Sequence, residues 1–170
     1  MKASKGFILV ELIVSLILVG VIGVFTVLFL YTGLNGYLRA QETAEGALKA
    51  QVALDRISLE LRDIATITDL TDNTSIDYTS DNDELPGARR LIYSPPAGNR
   101  LGTISISVDG VENVLVDDLT AFSLTGTYAD LNDTADGNNE VAWIDLSFAV
   151  SEIKPFSLQI YPRNMIPEPL

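Results

Sequence analysis

Apolar residues crowd the start of the chain, and residues 12–30, LIVSLILVGVIGVFTVLFL, contain no charge at all. As a helix rising 1.5 Å per residue this stretch is about 28 Å long, close to the hydrocarbon thickness of a bilayer, so it predicts a membrane-spanning helix. From Tyr37 to Ile64 the pattern turns amphipathic. Ala47, Ala50, Leu54, Ile57, Leu61 and Ile64 recur at spacings of three and four, which places them on one helical face with Glu45, Lys49, Arg56 and Glu60 elsewhere. Glu45–Lys49 and Arg56–Glu60 read as i,i+4 pairs on a solvated face, worth a few tenths of a kcal/mol each. Gly33, Gly36 and Gly46 each weaken a helix by about 1 kcal/mol relative to Ala and mark points where it would flex. One long helix from about Ile8 to Ile64 is expected.

Beyond it the signals change. Thr66–Ala88 is polar and acidic and reads as a long connection holding one short strand near Ser75–Tyr78. Strand signals then follow in series: RRLIYS; two runs about the Asp109-Gly110 turn in LGTISISVDGVENVLV; LTAFSLTGTY; VAWIDLSFAV; and PFSLQIYPR. Alternation puts Val141, Trp143, Leu146, Phe148 and Val150 on one face, and Phe156, Leu158 and Ile160 on one face of the last run. The expected class is α+β: a long N-terminal helix, membrane-spanning then amphipathic, packed on a C-terminal antiparallel β-sheet head. The corresponding division is 1–6, a short basic leader; 7–34, the apolar helix; 35–65, the amphipathic helix; and 66–170, the head.

Composition narrows the chemistry. The formal net charge is −12 and no basic stripe is present, which argues against nucleic acid as a partner. The chain has no cysteine and no histidine, so it lacks disulfides, thiolate metal sites and the usual general base. Neither a Gly-x-Ser-x-Gly nor a Ser-x-x-Lys nucleophile motif occurs, nor a glycine-rich phosphate loop. The reading is of a protein that is not an enzyme and has no resident cofactor. The loop Asp130–Glu140 concentrates acids and amides, and calcium held by Asp130, Asp133 and Asp136 is one reading of it. A solvated turn is the other, since the EF-hand pattern fails at Thr134 and Ala135. Arg89 and Arg90 read as a basic pair neutralising nearby acids, and Trp143 as a core residue.

Glu11 remains to be explained, because a carboxylate inside an apolar run costs a few kcal/mol in hydrocarbon. A cleaved secretory signal would have a shorter apolar stretch and small residues at its end. A plain single-pass anchor with Lys2 and Lys5 in the cytoplasm explains length and orientation but leaves Glu11 idle. The segment KGFILVE, Lys5–Glu11, resembles the type III signal of type IV pilins and pseudopilins: a short basic leader ending in Gly, then Phe, then Glu at the fifth mature position. The resemblance implies that a prepilin peptidase cleaves between Gly6 and Phe7 and methylates the new amine of Phe7. It also implies that Glu11 meets the amino terminus of a neighbouring subunit during assembly, an attraction strengthened in a low-dielectric core. Gly20 matches a position where the family often has Gly, whereas Leu28 stands where many major pilins carry a helix-bending Pro. The C-terminal runs also resemble those of J-type minor pseudopilins and W-type minor pilins.

Taken together, these likenesses imply a minor pilin or pseudopilin of a type IV pilus, a type II secretion pseudopilus or a DNA-uptake fibre, acting in an initiation or tip complex. Its partners would be other pilins or minor pseudopilins, prepilin peptidase and an inner-membrane assembly platform. It would sit in the bacterial inner membrane with the head in the periplasm before entering the fibre. Two alternatives remain open: a ligand-binding or adhesion module carried on such a fibre, and an anchored periplasmic domain that never polymerises.

Overall fold

The computed structural model describes residues 9–132, 139–151 and 153–169. One helix, α1 (Leu9–Arg62), precedes seven strands: β1 (Ile64–Thr71), β2 (Ser75–Ser80), β3 (Ala88–Ser94), β4 (Gly102–Val108), β5 (Val111–Ala129), β6 (Glu140–Val150) and β7 (Phe156–Ile160). The strands form a single antiparallel sheet in sequence order, each paired with the next. The class is therefore α+β, helix then antiparallel sheet, as the periodicities predict. The chain divides into two compact units at Glu42/Thr43. The described part of the first is the apolar length of α1. The second contains the rest of α1 and the whole sheet.

Within the second unit, α1 lays one face on the sheet. Ala50, Ala53, Ile57, Leu61 and, just past its end, Ile64 are buried, while Ala47 and Leu54 are half-buried at the margin. The small Ala50 and Ala53 let the helix backbone approach the strands closely. Ile76, Leu91, Ile104, Leu119, Leu124, Ile144, Leu146 and Phe148 supply the sheet's share of the core. At roughly 25 cal/mol per Å² of apolar surface, each fully buried Ile or Leu contributes about 1.5–3 kcal/mol. Gly46 is not a flexible point. A Cβ there would lie 2.7 Å from Ile153 Cδ1, so its bare backbone admits the turn after β6, and α1 runs unbroken through Gly33, Gly36 and Gly46.

Three expectations about the strands are corrected. Residues 64–80 form a complete β-hairpin rather than a loop with one strand. Its polar composition reflects one solvated face, with Thr66 and Thr79 joined hydroxyl to hydroxyl at 2.7 Å, while Ile64, Ile67, Ile76 and Tyr78 turn inward. Next, VENVLV and LTAFSLTGTY are one long strand, β5. Asp117-Asp118, which lies between the two runs, is a bulge, with Asp118 at a positive φ of 61° and the register shifting beside it. Last, Trp143 does not join the core. Between the pairs Thr127–Trp143 and Tyr128–Val141 the register slips by one residue, so Val141 is buried, Ile144, Leu146, Phe148 and Val150 face the core, and Trp143 is left half-buried.

Turn chemistry explains the connections. Asp109 and Gly110 both hold positive φ, 49° and 85°, as the predicted two-residue hairpin requires. The Asp109 carboxylate also accepts the Ala88 N–H at 3.0 Å, tying the turn to the start of β3. At the tip of the β1–β2 hairpin Asn73, φ 59°, uses its backbone N–H and its side-chain oxygen on the O and N of Leu124, at 2.9 and 3.2 Å. The hairpin tip thereby covers the edge of β5 beyond its pairing with β4, and the sheet curls around its core.

Ile57→Ala should cost about 2–5 kcal/mol of unfolding free energy, and Val52→Ala, on the exposed side of the same helix, less than about 0.5 kcal/mol. Urea denaturation of the two variants checks the facing of α1; equal losses would contradict it.

Candidate functional site

The described part of the first unit carries its apolar residues without a covered face. Leu9, Leu16, Phe25 and Phe29 are 75, 64, 68 and 79% exposed, and every large apolar residue from Leu9 to Leu38 is exposed. This helix is long and apolar enough to cross a membrane. A helix apolar all round is stable only in apolar surroundings, whether lipid tails or other helices. Two of its hydroxyls are satisfied internally: that of Ser15 donates to the Glu11 carbonyl and that of Thr26 to the Ile22 carbonyl, both at 2.8 Å. Glu11 lies in the first turn of α1, where the unsatisfied N–H groups favour negative charge. Its side chain is exposed, and among the described residues it has no ion-pair partner. Gly6 and Phe7, the predicted cleavage and methylation site, lie outside the described residues.

In the second unit the departure from a solvated helix face is Glu60. Its side chain is fully buried, on the same side of α1 as Ile57 and Leu61. Tyr78 on β2 and Arg89 on β3 are direct cross-strand partners, so both present their side chains to that helix face. Arg89 grips the carboxylate with both ends of its fork, Nε to Oε2 and Nη2 to Oε1, each at 2.6 Å. The Tyr78 hydroxyl donates to Oε2 at 2.9 Å, and Arg56 Nη2 closes on Oε1 at 2.6 Å. The remaining Arg89 nitrogen, Nη1, donates to the Pro86 carbonyl at 3.3 Å.

Burial, then the neighbouring Glu60 carboxylate, pushes the Tyr78 hydroxyl well above its ordinary range. Hydrogen bonds to Glu60 likewise raise Arg89. Three hydrogen bonds and the Arg56 ion pair surround the carboxylate, so the cluster holds α1 against β2 and β3. Arg90, one residue on, points to the other face of the strand and pairs with Asp77. The basic pair thus neutralises two acids on opposite sides of the sheet. Alternation along β3 explains this division; the burial of Glu60 itself has no local signal beyond its i+3 spacing from Ile57.

A second set of polar contacts closes the helix end. The N–H of Arg163 donates to the Arg62 carbonyl at 3.0 Å, and the Asn164 amide to the Ile64 carbonyl at 2.9 Å. Arg163 Nη1 approaches Asp63 Oδ1 to 3.2 Å as an ion pair without hydrogen-bond alignment. The segment after β7 therefore supplies a partner for the last helical carbonyl, that of Arg62, and one for the first carbonyl of β1.

Of the three residues considered for calcium, Asp133 and Asp136 lie outside the described residues. Asp130 is exposed, and the neighbouring Leu131 N–H and Asn132 amide are bound to Glu140, at 2.8 and 2.6 Å. Among the described residues no three His, Cys, Asp or Glu side chains converge to hold a metal. Comparison with protein families, with curated proteins and with solved structures finds no match.

Arg89→Leu strands the Glu60 carboxylate in the core and should cost about 3–5 kcal/mol, whereas Glu60→Leu combined with Arg89→Met should recover most of that loss. Urea unfolding of both reads the difference. Tyr78 holds its proton above its ordinary value of 10.0 in the folded chain, so the unfolded chain releases it first and stability falls as pH rises beyond that value. Tyr78→Phe should flatten this alkaline fall; an unchanged pH profile would contradict the burial of the hydroxyl.

Proposed function

We propose that this chain is a non-catalytic, pilin-like filament subunit, processed by a prepilin peptidase between Gly6 and Phe7 and methylated on Phe7. The observation that carries the reading is an acid in the first turn of a helix whose beginning is otherwise apolar on every side, shortly after a Lys-x2-Lys-Gly-Phe start. In this reading the helix first anchors the chain in the inner membrane, with the leader cytoplasmic and the head periplasmic. It then leaves the lipid to bundle with the helices of other subunits. Both environments are apolar, so the transfer between them conserves most of the hydrophobic free energy. Glu11 supplies what bulk hydrophobicity lacks, a register: it gains a charge partner only when a neighbour's amino terminus stands at one axial offset.

The second unit adds support. On the side of α1 away from the sheet, Leu48 and Val52 are each 68% exposed, where a solitary soluble domain would place charge. These positions suit contact with further helices. In this reading the chain acts as a minor pilin or pseudopilin that primes fibres in a type IV pilus or type II secretion system.

Intact-mass spectrometry of the chain from cells with an active prepilin peptidase should give a product beginning at Phe7 and one methyl group heavier. A product retaining Met1 would refute processing. Glu11→Ala should lower incorporation into fibres at least tenfold, equivalent to roughly 1.4 kcal/mol or more of contact free energy, with membrane insertion unchanged. Normal incorporation of the variant would instead favour a membrane anchor that does not polymerise.

A further inference from the structure

The bulge that turns Trp143 away from the core builds a feature on the opposite face of the sheet. Strands β5, β6 and β7 place three rows of side chains there in register: Ser123, Ser147 and Ser157; Thr125, Asp145 and Gln159; then Thr127 and Trp143. Tyr161 follows two residues beyond Gln159 and completes the third row. With strands about 4.8 Å apart and alternate residues about 7 Å apart, the patch measures roughly 10 by 14 Å. A shallow groove of about 260 Å³ runs along it, lined by Ser123, Asp145, Ser147, Ser157 and Gln159 together with Leu146 and Leu158.

The polar groups are held in place by one another. Asp145 accepts the Trp143 Nε1–H at 2.8 Å on one oxygen and the Gln159 amide at 3.0 Å on the other. The Tyr161 hydroxyl donates to Gln159 Oε1 at 2.8 Å. This chain of bonds orients two aromatic rings beside the groove, with centroids 6.3 Å apart and planes inclined at 49°. Tyr161 is 60% exposed despite that anchoring, and Trp143 is half-buried. Rings fixed at the surface by their polar ends leave apolar faces open without entropy left to lose on binding.

We infer that this face binds a short, uncharged oligosaccharide. A sugar offers C–H faces that pack on fixed aromatic rings, and neighbouring hydroxyls that both donate and accept. The groove supplies matching groups: serine hydroxyls that do both, the unused lone pairs of Asp145, and the second amide hydrogen of Gln159. Among the described residues no Lys or Arg lines the groove while a carboxylate does, and the chain carries a net charge of −12, so anionic ligands are repelled. The site belongs to the head alone and is independent of whether the chain polymerises.

Trp143 is the single tryptophan of the chain, which makes its emission a direct reporter of this face. The full chain, held in a detergent without a sugar headgroup, is titrated with lactose, maltotriose and chitotriose. At least one should change the Trp143 emission saturably, and Tyr161→Ala and Gln159→Ala should each weaken that binding at least tenfold, while Val114→Ser leaves it unchanged. Three results would each overturn the inference: no saturable change with any of the three sugars, binding untouched by both groove substitutions, or equal binding of an anionic sialyllactose. Mass spectrometry of the same preparation tests processing at Gly6 separately, so failure of sugar binding leaves the filament reading standing.

Discussion

A carboxylate with no access to water is the constraint on which the second unit is built. Glu60 comes from the last turns of α1, and desolvating its charge costs several kcal/mol that only close, aligned donors can offset. Those donors arrive from two neighbouring strands and one helical turn: Arg89, Tyr78 and Arg56. Each must sit within a few tenths of an ångström of its place, so the cluster specifies where the helix lies on the sheet and which residues of β2 and β3 oppose it. Apolar packing around it is less selective, because Ile57 or Leu61 would accept several neighbouring positions at similar cost.

The same helix answers to two different demands along its length. Near its start every side is apolar and exposed, and hydroxyls return to the helix's own carbonyls, which suits surroundings without water. From Thr43 onward it carries charge, buries a stripe of Ala and Ile against the sheet, and ties Lys49 to Glu45 and Asp117 at 3.9 and 3.5 Å. These exposed pairs are worth little individually. What changes between the two lengths is the surroundings that the side chains require, while the backbone hydrogen-bond ladder continues unbroken from Leu9 to Arg62.

Much of the architecture is legible from local pattern. The apolar run, the three-and-four spacing from Ala50 to Leu61, and the Asp109-Gly110 turn each have a local physical cause, and each stands in the structure as expected. The failures have causes too. The β1–β2 hairpin is polar because only alternate residues face the core, and a stretch rich in Asp, Asn and Thr conceals its four inward residues. Asp117-Asp118 has the composition of a turn, but pairing on both sides with β4 and β6 keeps it inside one strand as a bulge. Alternation with Val141 points Trp143 to the core. A one-residue slip in register, invisible along a single strand, reverses its facing.

The amino-acid sequence by itself determined the long helix with its apolar beginning, the position of Glu11 at its start, the α+β class and the absence of histidine and cysteine chemistry. These follow from composition and from periods of two and near three and a half, which any short window of chain expresses. Tertiary structure alone decided that Glu60 is an interior anchor rather than a solvated acid, that Asn73 stitches a hairpin tip to β5, and that Trp143 and Tyr161 share the outer face. Each of these depends on which strand lies beside which and in what register. That is settled by the simultaneous packing of residues tens of positions apart, and no local window contains it.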